Sequence, residues 1–306
     1  MNGTEHGPHP IGPTGPGPGR GVPSRAKIGR MSFDPYEPYG TVVATTMRIV
    51  TWNVWGRYGD WERRQAGIAR VLAAVDPDVI CLVEAWSAQE STQPHVLAGH
   101  LGREHDLYTG SWEADGWTSG LGMVSRWPVT DSQHCILDAP DGGNAGGALF
   151  AALDGPRGPV QIFVVALDYP LDASAARQGQ VRQLGEFIGQ VARRRHPTVV
   201  CGDFNAAPDA EEMRMLMGKT VTAAPGLVFY DAWEIAGGGG PGFTWSNDNP
   251  LAALALYPDR RFDYVLSAWP RLGGVGHPVH CELLGAVPHD QPQLSDHYGV
   301  LADLRY

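Results

Sequence analysis

The chain has 306 residues, 43% of them hydrophobic, and carries 33 Asp and Glu against 23 Lys and Arg, a formal charge of −10. That length and composition fit one large soluble core, and the acidic balance disfavours bulk contact with duplex DNA, which relies on a basic stripe to displace phosphate counterions. No apolar run approaches the roughly 18 residues that cross a bilayer, and residues 1–30 lack the apolar stretch of a secretory signal, so a cytoplasmic location is the expectation.

Residues 1–46 are rich in Gly, Pro and small polar side chains with nothing periodic to bury, which predicts a disordered tail ahead of a single domain at 47–306. The first strand runs from Met47 through Ile49 and Val50 and ends in Thr51-Trp52-Asn53. A helix is predicted from Asp60, with Ile68, Val71, Leu72 and Val75 at helical spacing and Pro77 as its stop. The run Val79 to Val83 then ends in Glu84. A short helix is expected over 95–101, followed by strands over 121–129, 135–137, 148–153 and 160–167. Val181, Leu184, Ile188 and Val191 mark a second long helix over 173–195. Beyond it Thr198-Val199-Val200 leads into Cys201-Gly202-Asp203-Phe204-Asn205, Arg261 to Leu266 carries Asp263, and Ser295-Asp296-His297 precedes a last apolar run. Strand and helix first, consecutive strands in the middle, then helix and strands again argue for packed, largely antiparallel sheets with helices outside. The four cysteines, Cys81, Cys135, Cys201 and Cys281, are widely spaced, and Cys81 and Cys201 sit inside apolar runs. They read as buried thiols, not as a disulfide framework or a zinc site.

Strands that stay apolar until a terminal Asn, Asp, Glu or His deliver polar groups to one sheet edge. A lone Asp at a strand end usually caps a turn, and a lone His is usually structural; five such strands in one chain point to a site. Glu84 and Asp296 supply hard oxygen ligands and Asn53 a neutral one, a set suited to Mg²⁺ or Mn²⁺. His297, with Asp263 as an orienting partner, is a pair that activates or relays a proton, and Asp203 and Asn205 are placed to position an attacking water and stabilise developing charge.

The segments Met47–Trp55, Ile80–Trp86, Gly120–Pro128, Cys201–Asn205, Arg261–Leu266 and Ser295–Val300 together resemble the successive motifs of the endonuclease/exonuclease/phosphatase superfamily, over residues 47–306 and in the family's order. The resemblance implies the deoxyribonuclease I-like fold, an α+β four-layer sandwich of two packed mixed, largely antiparallel β-sheets flanked by helices. It also implies Asn53 and Glu84 at a metal, Asp296 at or beside it, Asp203 and Asn205 on nucleophile and phosphate, and Asp263 orienting His297. Two positions depart from the family pattern. Val83 stands where Gln often precedes the Glu. The family's Thr-His-Leu histidine falls on Ala166, or on Asp168 with a register shift of two, and neither is His. Trp55, Trp86 and Trp245 lie in or near these motifs, where they could line a substrate pocket; Asp168 joins them as a candidate substrate contact. The resulting expectation is a metal-dependent phosphoesterase acting by in-line attack of water on a small or lipid-like phosphoester. The alternatives are a nuclease, and a binding module or a site redirected to non-hydrolytic chemistry.

Overall fold

The computed structural model describes residues 38–114, 116–139, 143–193, 197–288 and 291–306. β1 (Thr46–Asn53) crosses through α1 (Trp61–Val75) to β2 (Val79–Ala88), which pairs with it in parallel. β3 (Ser91–Thr92), α2 (Gln93–His100), β4 (His105–Ala114) and β5 (Trp117–Ser125) follow, then β6 (Val129–Leu137), β7 (Gly146–Gly155) and β8 (Gly158–Ala166). A second crossover, α3 (Ser174–Val191), leads to β9 (Thr198–Asp203), parallel to β8. The chain finishes with α4 (Glu211–Leu216), β10 (Phe229–Asp231), α5 (Ala232–Ala236), β11 (Asp263–Ala268), β12 (Pro278–Leu284) and β13 (Gly299–Arg305).

Two sheets result. One is ordered β12-β13-β1-β2-β5-β4, with β3 beside β2, and the other β10-β11-β9-β8-β7-β6. Each has one parallel pair at its centre, because only there does a helical crossover return the chain in the same direction; every other pairing is antiparallel. The central strands read as nearly unbroken apolar runs because both of their faces are covered. Ile49, Cys81, Ile162, Val199 and Val265 point into the core between the sheets. Their neighbours Val50, Ile80 and Leu82 point outward onto Ile68 and Leu72 of α1 and Leu97 of α2. On the other side Phe163, Val165 and Val200 meet Val181, Leu184 and Ile188 of α3 and Met213 of α4. The layers are therefore helix, sheet, sheet, helix, as the sequence leads one to expect. Each fully buried Val, Leu or Ile contributes roughly 1.5–3 kcal/mol to that arrangement.

All four cysteines carry free thiols, and Cys81, Cys201 and Cys281 are buried. No helix among the described residues is long and apolar enough to cross a membrane.

Three details differ from the sequence reading. The strand expected over 121–129 is the end of β5 and the start of β6, broken at Arg126–Pro128. β4 and β12 were not anticipated, since their polar residues break the apolar runs. The tail assigned to residues 1–46 lies outside the described residues only over 1–37. Residues 39–46 dock on the domain instead: Gly273 N donates to Tyr39 O at 2.7 Å, Val43 N to Gly273 O at 2.8 Å, Arg305 Nη1 to Val43 O at 2.6 Å and Tyr306 N to Thr45 O at 2.9 Å. At about 1 kcal/mol per bond, a chain beginning at Met47 should melt on the order of 5 °C or more below one beginning at Tyr39, by differential scanning calorimetry. Equal melting temperatures would show that this segment only rests on the surface.

Candidate active site

Strand alternation explains why the polar residues converge. Counting by two from Ile49 gives Asn53, from Val199 gives Asp203, from Val265 gives Asp263, and from Ile162 gives Ala166, so each is the terminal inward-facing residue of its strand. β11 runs antiparallel to β9 and pairs Asp263 with Asp203; β8 runs parallel and pairs Ala166 with the same Asp203. The apolar core therefore ends in a polar floor at one edge of both sheets. Glu84 does not follow this rule. By alternation it would face α1, but the β2 ladder is irregular between Leu82 and Ala85 and Glu84 has φ +54°, which turns its side chain back to the floor. Trp55 (φ +53°) and Asn205 (φ +50°) are also left-handed, and all three line one cavity. Such a conformation costs about 1–3 kcal/mol per residue and persists where the surroundings enforce it, commonly at functional sites.

Hydrogen bonds fix the floor. Asn53 Nδ2 donates to Glu84 Oε1 and to Asp203 Oδ2, both at 3.0 Å, so its two amide hydrogens are used and only its Oδ1 can take a ligand. That oxygen already accepts from Trp55 N at 3.1 Å, with a second lone pair to spare. Asp203 Oδ1 accepts from Asn205 N at 2.9 Å, and Asn205 Nδ2 donates to Leu167 O at 2.9 Å. His297 Nδ1 bonds Asp263 Oδ2 at 2.7 Å, which leaves Nε2 directed at Asp203, 3.9 Å from Oδ2. Ser295 Oγ lies 2.7 Å from Asn53 O and 3.2 Å from Asp296 Oδ1, and its single hydrogen serves one of the two at a time.

The floor is short of positive charge. Burial, with the neighbouring Asp263, raises the Asp203 carboxyl to about 7. Burial raises Asp296 to about 6, with Glu84 adding to it, and burial raises Glu84 as well. At His297 burial opposes the charge, but Asp263 and Asp203 outweigh it and hold the imidazolium well above the usual histidine range. No Lys or Arg is among the described residues that line the cavity. Asp203, Asp263 and His297 offer ligand atoms within 4.8 Å of one another, yet the 2.7 Å His–Asp contact is a hydrogen bond with no room for an ion between its partners. Glu84 and Asp296 each keep an oxygen with no partner among the described hydrogen bonds, and with Asn53 Oδ1 they form a hard oxygen set. That donor chemistry fits a divalent cation such as Mg²⁺.

Arg64 was not singled out from the sequence. It occupies the apolar stripe of α1, four residues before Ile68 and eight before Leu72, and is 4% exposed. Its guanidinium donates to the carbonyls of Val54, Trp55, Gly56, Tyr58 and Leu294, tying the loop after β1 to the segment that carries Asp296; burial lowers it to about 10. A charged residue at a core position of an amphipathic helix was the available signal.

The cavity has a volume of about 760 Å³ and brings together Glu84, Asp203, Asn205, Asp296, His297, Trp55, Trp245 and Asp168. Tyr58, Trp112, Tyr257 and Phe262 complete an aromatic rim. Trp245 meets the His297 ring at 5.0 Å in an edge contact. Two expected substrate contacts need correction. Trp86 is 4% exposed and lies outside the cavity, because the Arg57 guanidinium stacks on it at 4.5 Å and its Nε1 donates to Gln65 Oε1. Asp168 reaches the cavity wall, but it follows the end of β8, is 1% exposed, and has both carboxylate oxygens taken by Asn144.

A family model described as the Endonuclease/Exonuclease/phosphatase family matches residues 50–297. Protein angel of Drosophila melanogaster is 28% identical over 205 residues, covering 61% of this chain and 56% of that protein, so the chain spans about half of its relative's length. Among solved structures, D. rerio TDP2 in complex with a single strand DNA product superposes with a TM-score of 0.66 at 21% identity, over 86% of this chain and 100% of that one. An endonuclease/exonuclease/phosphatase protein from Bacteroides vulgatus gives 0.65 at 20% identity, over 85% and 98%. At these identities the structural likeness carries the fold.

Proposed function

The chain belongs to the endonuclease/exonuclease/phosphatase family, and from that premise we propose that it is a Mg²⁺- or Mn²⁺-dependent phosphoesterase acting by in-line attack of water on a small or amphipathic phosphoester. The observation that carries this reading is the cavity, with carboxylates and one histidine on its floor, aromatics on its rim and no Lys or Arg among its described lining residues. A phosphoester cannot bind such a floor without a cation to offset the carboxylates. Glu84, Asp296 and Asn53 Oδ1 would hold it, and once bound a divalent ion screens the phosphoryl oxygens and polarises the ester. Asp203, beside Asn205, orients the attacking water and accepts its proton. His297, with Nδ1 fixed by Asp263, presents Nε2 to the phosphoryl group for proton transfer and charge stabilisation. The volume suits a ligand of drug-like size.

A nuclease acting on single strands is the second reading. Aromatic rims stack bases without sequence preference, and the similar TDP2 structure holds a single strand DNA product. The net charge of −10 disfavours duplex substrates.

A panel with Mg²⁺ separates the readings: a bis-aryl phosphodiester, an aryl phosphomonoester, a single-stranded oligonucleotide and its duplex. The small esters should give the highest kcat/KM. An oligonucleotide preferred by more than tenfold would move the assignment to nuclease, and no turnover of any of them would move it to a binding module or to other chemistry.

A further inference from the structure

The phosphoesterase reading leaves a shortage of donors. Three phosphoryl oxygens need hydrogen bonds or charge, and the end of β8 offers only the methyl group of Ala166. On the floor, Asn53 has spent both amide hydrogens, His297 has only Nε2 left, and Asn205 has one hydrogen left after bonding Leu167 O. Trp245 Nε1 is buried, with no partner among the described residues.

The loop at residues 143–146 is built against the other wall. Asn144 N donates to Asp168 Oδ2 at 3.2 Å and Asn144 Nδ2 to Asp168 Oδ1 at 2.9 Å. A carboxylate only accepts, so this grip fixes which end of the Asn144 amide is nitrogen and leaves that nitrogen one free hydrogen. Asp168 N in turn donates to Gln180 Oε1 at 2.9 Å, and Gln180 Nε2 donates to Asn144 O at 3.0 Å. The seat is tight. A Cβ on Gly143 would stand 2.5 Å from Asp168 Oδ2, and one on Gly146 2.5 Å from Ala166 O. Burying Asp168 to 1% exposure with, among the described residues, only Asn144 on its carboxylate is costly for a loop clasp. Asn144 itself is exposed and lines the cavity together with Ala166.

We propose that Asn144 contacts the substrate phosphoryl group from this wall, supplying the donor that Ala166 lacks, and that Asp168 is its positioning residue. The proposal rests on the phosphoesterase reading for the identity of the anion, and its test uses binding as well as turnover. With Mg²⁺ present, calorimetry of inorganic phosphate should show about tenfold weaker binding to Asn144→Ala than to wild type, the usual worth of a donor to a charged acceptor. On a bis-aryl phosphodiester, Asn144→Ala should lower kcat/KM by ~10². Ala166→His added to Asn144→Ala should restore part of the loss, which a merely structural loop would not allow. Asp168→Asn should match Asn144→Ala in phosphate affinity, and the double variant should be no worse than either single one. Asn144→Ala strands the buried Asp168 carboxylate and should lower the melting temperature, so affinity and rate are compared at a temperature where circular dichroism shows every variant fully folded. Wild-type phosphate affinity in Asn144→Ala, or no Mg²⁺-dependent phosphate binding by the wild type, overturns the proposal. Phosphate binding that depends on Asn144 without any ester turnover would uphold it and defeat the hydrolase reading alone.

Discussion

His297→Ala should lower turnover of a phosphodiester by ~10² to 10⁴, the usual worth of a positioned acid or base, while KM changes less. The geometry leaves His297 as the imidazole of the floor, with Nδ1 held at 2.7 Å by Asp263 and Nε2 facing Asp203. Asp263→Asn should be milder, because the amide still bonds the ring but no longer supports its charge. Removing the imidazole also strands a buried carboxylate whose Oδ1 already lacks a partner, and breaking such a pair costs about 3–5 kcal/mol of stability. His297→Gln, which keeps a polar group against Asp263, separates the two effects. Steady-state kinetics together with thermal melts make the check. Near wild-type kcat in a folded His297→Gln or His297→Ala protein would reduce the residue to a structural role.

Much of the site was legible because strand periodicity and burial act together. Asn53, Asp203 and Asp263 each continue the inward face of an apolar strand, so the change from Ile49, Cys201 and Val265 to a polar residue marked both the strand end and the floor. His297 and Asp296 were legible as the polar prelude to β13. Glu84 reaches the floor by a geometry the sequence does not show: alternation alone turns it away, and the irregular β2 ladder with its positive φ brings it to Asn53. No residue pattern announces that distortion.

What escaped depends on contacts distant in sequence. Nothing near Asp168 indicates that Asn144, twenty-four residues earlier, occupies both its oxygens. Trp86 sits beside a motif residue, yet it is drawn under the surface by Arg57 and by Trp61 of α1, whose ring is 5.4 Å away. β4 and β12 were missed because edge strands keep polar residues and show no continuous apolar run. Residues 39–46 have the composition of a tail and are held by backbone hydrogen bonds, which composition does not reveal.

Glu84→Gln carries the other large expected effect. The substitution keeps the size of the side chain and the acceptor for Asn53 Nδ2 but removes one of two carboxylates available to a cation. Mg²⁺ takes only one or two protein carboxylates, so losing one should weaken binding by tenfold or more and reduce turnover at limiting metal, with the fold intact. Burial, with Asp203 and Asp263 nearby, disfavours ionised Glu84, so its neutralisation should not destabilise the protein.

The most direct measurement is a Mg²⁺ titration of wild type and Glu84→Gln, followed by calorimetry and, on the same samples, by phosphodiester turnover. Wild-type turnover should rise with metal occupancy and vanish with EDTA, and Glu84→Gln should lose affinity and rate together. Turnover indifferent to EDTA, or equal Mg²⁺ affinity in the two proteins, would contradict a metal-dependent phosphoesterase built on Glu84 and Asp296.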